Sequence, residues 1–177
     1  MRSDGSSKTA YAVALQRATH QVRDHPKVFD DPLAVSILGP EARLYANLPL
    51  KLDGRRRAFM VARCRCSEDQ LARASWGPDW TSRPAGSGVA FDYTLARPAM
   101  GPRMRAGQKL IAMAVARLGE PFRSAFVPAD LARLLRELGF RELEDLSPAD
   151  IDRRYFASRD DGLKVGNVWG HVASAWL

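Results

Sequence analysis

Little in this sequence points to metal, disulfide or membrane-spanning chemistry. It has two cysteines, Cys64 and Cys66, in 177 residues. A helix turns two such positions away from each other, because neighbours on one helical face lie three or four apart. Neither a disulfide framework nor a zinc site follows. The three histidines, His20, His25 and His171, are scattered and lack acidic partners at helical spacing, so no metal ligand set is expected and each reads as a surface or packing residue. No serine lies in a G-x-S-x-G setting, which excludes the nucleophile elbow of a hydrolase, and no catalytic residue can be named. The opening MRSDGSSKTAYAVAL has polar spacers and an acid where a secretory signal or membrane anchor would be apolar. Free thiols without an export signal make the cytoplasm the expected compartment, with no membrane partner.

What is present is a composition able to fold: 46% of the residues are apolar, enough for one buried core in a chain of this length. The formal charge is +7. A positive balance raises the question of nucleic acid. The cations are mostly arginine and spread along the chain, the one compact cluster is Arg55, Arg56 and Arg57, and no RRM, KH or zinc-finger module is visible. Nucleic acid is therefore not an expected partner.

Periodicity orders the chain. Ser7 caps a helix whose Tyr11, Leu15, Ala18 and Val22 recur at helical spacing until Pro26. Asp31-Pro32 starts a second, with Leu33, Ile37 and Leu38 as its buried side up to Gly39-Pro40. Residues 55–74 contain neither Gly nor Pro and read as one long helix. Trp76 to Gly88 gathers Pro and Gly into an irregular, exposed seam. Val89, Phe91 and Tyr93 then alternate as in a strand. A helix follows from Pro102 to Leu118 with Ile111, Ala114, Val115 and Leu118 on one face. The next has Pro128 in its first turn, Leu131, Leu134, Leu135 and Leu138 in one stripe and Gly139 as its stop, and its stripe is expected to pack on the strand of Val89, Phe91 and Tyr93. RELEDL is a short strand, Ser147-Pro148 with Asp150 a capping box, and VGNVWGHVASAWL a last strand weakened by two glycines.

Several phrases, in this order, resemble one family. Ser7-Lys8-Thr9-Ala10, Phe29-Asp30-Asp31-Pro32-Leu33-Ala34, and Arg57-Ala58-Phe59 leading to Arg63-Cys64-Arg65-Cys66-Ser67-Glu68-Asp69 are similar to the N-terminal cap of leucine carboxyl methyltransferase-like enzymes. These are class I methyltransferases dependent on S-adenosylmethionine (SAM). Gly86-Ser87-Gly88-Val89-Ala90-Phe91-Asp92-Tyr93, Glu120-Pro121-Phe122-Arg123-Ser124, Leu138-Gly139-Phe140 and Arg154-Tyr155-Phe156 resemble the family's fifth strand and C-terminal region. The resemblance implies methyl transfer from SAM to a carboxyl or hydroxyl oxygen of a small molecule. It further implies that Arg63 pairs with the methionyl carboxylate of SAM, with Lys8 a second candidate, and that Tyr155 and Arg159 lie where the family closes its substrate pocket. Cys64 stands where the family usually has Thr.

One part of that family's pattern is missing. A G-x-G turn should follow the first strand, letting the backbone approach the cofactor, with an acid beyond it for the ribose. Here the long helix runs into Trp76-Gly77-Pro78, and the one G-x-G, Gly86-Ser87-Gly88, precedes a strand instead of following one. A β-α-β unit takes roughly thirty residues, so about three strands fit after residue 75. The expectation is an α/β fold forming one truncated methyltransferase-like domain: a helical cap over residues 1–75, a seam at 76–88, and a C-terminal α/β part over 89–177. Its small mixed sheet of about three strands would be the remnant of a Rossmann-like methyltransferase, inactive as an isolated chain, with the last strand antiparallel. An edge left without its neighbour invites a homo-oligomer or pairing with another methyltransferase chain, and a non-catalytic binding or regulatory module is the alternative to an enzyme.

Overall fold

The computed structural model of the chain describes residues 7–39, 54–75 and 88–177. Helix α1 (Lys8–Arg23) begins where the Ser7 side chain accepts the Ala10 N–H at 3.1 Å, as the sequence predicts. Its buried side is more polar than the apolar spacing implies. Gln16, Ala18, Thr19 and His20 are buried, whereas Tyr11 is 47% exposed.

The second expected helix does not form. Residues after Asp31 make turns that end in a short 3₁₀ turn, Ser36–Leu38. The Asp31 carboxylate is drawn sideways to Arg17 while accepting the Leu33 N–H at 3.2 Å. An aspartate that bonds two residues ahead closes an Asx-type turn and competes with the helix it was expected to cap. Leu33 and Ile37 are consequently exposed, and Val28, Phe29 and Ala34 hold the segment down instead.

Helix α2 (Gly54–Ser75) is the expected long helix. It buries Ala58, Phe59, Val61, Ala62 and Cys66 against Val172, Leu146, Ile151 and Phe156. Strands β1 (Gly88–Thr94), β2 (Glu142–Leu146) and β3 (Gly170–Trp176) form one sheet in the order β1-β3-β2. The fold class is α/β with a small three-stranded sheet. Both outer strands run antiparallel to β3, with Phe91 opposite Ala173 and Leu146 opposite Val172. Helix α2 lies so close on β3 that a Cβ at Gly170 would fall 2.4 Å from the Phe59 ring. The last strand starts later than the sequence implies, because the Asp152 carboxylate takes the N–H groups of Val165 and Gly166 at 2.6 and 3.0 Å, and Gly166 has a φ of 62°.

The other face of the sheet carries Tyr93, Leu95, Ala173 and Ala175, covered by Met100 and by α4 (Pro128–Glu137). Here the four-leucine expectation is corrected. Leu131 and Leu135 are buried, but Leu134 and Leu138 are 42% and 62% exposed. A three-stranded sheet is too narrow to cover more than one i, i+4 pair of the stripe. Helix α3 (Pro102–Arg117) buries no residue fully; Ile111 and Val115 are half-covered, while Ala114 and Leu118 face out. Helix α5 (Pro148–Tyr155) carries the predicted capping box, with Asp150 N–H donating to Ser147 Oγ at 3.3 Å and Ser147 N–H to Asp150 Oδ2 at 3.1 Å. Positions 76–87 of the expected seam lie outside the described residues.

Candidate functional site

A cleft of about 430 Å³ opens where α1, α2 and β1 meet. The buried stripe of α2 leaves the next flank, Arg63, Cys64, Ser67 and Glu68, free to wall it, since those positions share a helical face. Arg17 from α1, Phe29 from the turn that follows, and Ala90, Phe91 and Asp92 from β1 complete it, with Val172 at its floor.

Both guanidinium groups are paired, and the Arg63 pair is the open one. Arg63 Nη1 donates to Asp92 Oδ2 at 3.0 Å, with 26% and 42% of the two side chains exposed. An ion pair that open to water contributes only about 0–1 kcal/mol, so another carboxylate can take Asp92's place on the guanidinium. Arg17 Nε donates to Asp31 Oδ2 at 2.8 Å and a second guanidinium nitrogen reaches the same oxygen, while its Cζ lies 6.0 Å from the centre of the Phe29 ring. Burial pushes the Cys64 thiol pKa above its ordinary value, against the nearby charges of Arg17 and Arg63. Cys64 is thus a neutral wall group in this cleft, not a thiolate nucleophile.

A buried network fixes the cap beneath it. Contrary to the expectation that no histidine has an acid at helical spacing, Asp24 stands four residues after His20. His20 is fully buried, and its Nε2 accepts the Val28 N–H at 3.1 Å, so its proton sits on Nδ1 and goes to Asp24 Oδ2 at 2.8 Å. Arg57 adds a two-pronged contact to the same carboxylate, 2.7 Å to Oδ2 and 3.0 Å to Oδ1.

Among the sequence candidates, Arg63 alone lines the cleft. Lys8 is exposed at the start of α1, nine residues and about 13 Å of helix from Arg17, next to Thr9, whose N–H donates to Glu120 at 3.2 Å. Tyr155 is half-buried on α5 and donates to Asp69 Oδ2 at 2.8 Å; burial, with Cys66 and Asp69 beside it, raises its phenol pKa. Arg159, expected on the surface if it has no substrate role, has a side chain only 3% exposed. It grips Asp161 at 3.0 Å and the Pro26 carbonyl, tying the loop after α5 to the loop after α1.

Two features escaped the sequence reading. Arg17 is one: its place on the helix that Ser7 caps follows from the sequence, its direction into the cleft does not. The other joins all three strands: Tyr93 donates to Asp145 Oδ2 at 2.6 Å, and His171 Nδ1 lies 3.0 Å from Asp145 Oδ1. Burial and the Asp145 charge together hold the Tyr93 phenol protonated far above its usual range. His171 and Tyr93 are direct cross-strand partners, a juxtaposition that only the register supplies. Among the described residues no group of three His, Cys, Asp or Glu side chains is placed to hold a metal ion, and no helix is long and apolar enough to cross a membrane.

No known family model matches the chain, and no solved structure matches it. Over 84 residues it is 37% identical to a protein of Bacillus subtilis (strain 168) described as "Putative S-adenosyl-L-methionine-dependent methyltransferase YktD". The match takes in 46% of this chain and 27% of that protein. The chain therefore spans about a quarter of the length of the relative it matches, and its similarity is to a SAM-dependent methyltransferase in general.

The cleft meets the demands of that cofactor at one end only. Arg63 suits a carboxylate, for which a guanidinium offers a two-pronged donor, whereas Arg17 beside it is held by the buried Asp31. For the adenosine end, the described residues include no strand followed by a glycine turn where backbone N–H groups could approach a ligand.

Proposed function

We propose that this chain is a truncated SAM-dependent O-methyltransferase of the leucine carboxyl methyltransferase-like kind, holding the helical cap and the C-terminal strands of that enzyme and inactive by itself. Bound SAM supplies an electrophilic methyl group, and the acceptor would be a carboxyl or hydroxyl oxygen of a small molecule. The observation that carries the reading is the position of Arg63. Of the residues that the resemblance assigns to the cofactor, it is the one that lines a cleft of ligand size, beside a second guanidinium and with an exchangeable carboxylate on it. The similarity to the Bacillus protein supports the same class.

Calorimetry with SAM over a protein concentration series, together with ¹⁵N spectra of the arginine Nε–H groups, tests it. The expected result is no saturable heat at micromolar SAM, because one exposed ion pair supplies about 0–1 kcal/mol and micromolar affinity needs about 8 kcal/mol. At SAM concentrations of about 100 mM, compared with sodium chloride at equal ionic strength, the Arg63 Nε–H signal shifts and that of Arg133, far from the cleft, does not. An unmoved Arg63 signal sinks the cofactor assignment. Saturable micromolar binding that disappears in Arg63→Ala sinks the inactivity.

The second reading, a non-catalytic module pairing with another chain, draws on the edge of the sheet: no strand among the described residues lies on the outer side of β1. Phe126 bridges its far end, receiving the Ala96 N–H at 2.8 Å. A mass that stays monomeric by light scattering up to millimolar concentration, alone and with a full-length methyltransferase, removes this reading.

A further inference from the structure

Helix α3 rests on the sheet through Met104, which packs into the cluster around Tyr93, Leu131 and Ala173. Its outward face has an unusual make-up. Leu110 and Met113, three positions apart and so on one stripe, are 66% and 42% exposed, and exposed Arg103, Lys109 and Arg117 surround them. Leu118 and Phe122 prolong the apolar line beyond the helix at 47% and 48% exposure. From Tyr93 to Gly119 the chain has five cations and no Asp or Glu.

What sets this stretch apart is its lack of acids: Arg136, Arg141 and Lys164 elsewhere are also exposed without an ion pair among the described residues, but each has an Asp or Glu within three positions. Arg65 pairs with Asp69, Arg73 with Glu142, Arg133 with Asp130 and Arg154 with Glu144. Arg103, Lys109 and Arg117 have no carboxylate partner among the described residues. Glu120, the first acid after the stretch, is engaged by Thr9.

We propose that the outer face of α3 docks the protein on an anionic lipid bilayer. The helix would lie flat in the interface, with Leu110 and Met113 entering the headgroup boundary and Arg103, Lys109 and Arg117 reaching lipid phosphates along their apolar stems. The cations alone would serve any polyanion. The apolar residues standing among them favour lipid, because a nucleic-acid backbone offers them nothing to enter. The absence of a spanning helix among the described residues is no obstacle, since interfacial helices bind by one face without crossing; the sequence-based expectation of no membrane partner rested on the polar opening segment, which does not bear on α3. The proposal is independent of the methyltransferase reading.

Co-sedimentation of the full chain with phosphatidylcholine vesicles, with and without about 30% phosphatidylserine, tests it. Binding is expected with the anionic vesicles alone, and to fall steeply at about 0.5 M salt. Leu110→Ser with Met113→Ser should lower the partition coefficient about tenfold or more, and Lys109→Glu with Arg117→Glu should do the same. Both pairs are exposed, so thermal melts should be unchanged and folding is checked independently. Equal binding to both vesicle types, or none, overturns the proposal. So does equally tight binding to heparin or duplex DNA that ignores Leu110→Ser with Met113→Ser, which would make this face a general polyanion surface.

Discussion

Asp24→Asn is the substitution whose cost the structure defines best. The carboxylate is 5% exposed and accepts from His20 Nδ1 and from two nitrogens of Arg57, whose own side chain is 11% exposed. Burial by itself would raise the Asp24 pKa, but the hydrogen bonds from His20 and Arg57, with Arg57's charge, outweigh it and hold the group below the usual carboxylate value. The amide keeps the shape and removes the charge. Arg57 is then left buried without a counter-ion, and the amide can turn only one oxygen toward three donors. Breaking a buried pair in this way costs about 3–5 kcal/mol, which for a chain of this size lowers Tm by about 6–20 °C. Urea unfolding followed by circular dichroism measures it. Because the folded pKa is depressed, the stabilisation is full above the unfolded value of about 3.9 and is lost as pH falls through the folded pKa. The gap between the native chain and Asp24→Asn should therefore close in acid. A loss under about 1 kcal/mol at pH 7, the size of an exposed pair, or a gap that does not narrow below pH 4, refutes the reasoning.

The leucine stripe of α4 should split in two, with Leu131→Ala costing about 2–5 kcal/mol and exposed Leu134→Ala under about 1 kcal/mol, both read from urea midpoints. Gly170→Ala drives a methyl into the Phe59 ring and should cost about 1–3 kcal/mol; pairing it with Phe59→Leu should recover part of the loss. Ser147→Ala removes the cap of α5 and should cost about 0.5–2 kcal/mol, with faster amide exchange at Asp150 as its local signature. A Tyr93→Phe chain should keep its fold but change the nitrogen-15 and carbon-13 shifts of His171, since the phenol and the imidazole share Asp145; an unchanged His171 would mean the three groups do not act together.

Local chemistry was legible wherever one residue type settles the backbone. Ser7 and Ser147 start helices because a side-chain oxygen takes an orphan N–H, and residues 55–74 form α2 because nothing in them breaks a helix. The α/β class and the number of strands followed from spacing and length. Asp31 misled for the opposite reason: the same side chain that can cap a helix can close a turn, and the choice fell to Arg17, fourteen positions away. The leucine stripe announced an apolar face but not its width, which depends on how many strands lie beneath it. Arg63 was identified by resemblance, yet its neighbours in the cleft come from α1 and β1, and its bond to Asp92 links residues 29 apart. Arg159 shows the limit most plainly. A charged residue between short loops reads as surface or site, and only the folding of the loop after α5 against Pro26 makes it a buried clamp. The sequence by itself determined the five α-helices found among the described residues, the Ser7 and Ser147 caps and the alternation of β1, because those depend on neighbours within a few residues. The three-dimensional fold alone decided the distant charge pairs, Arg17 with Asp31, Arg57 with Asp24, Arg63 with Asp92 and Arg73 with Glu142, since each closes a long loop whose entropy cost local patterns do not encode.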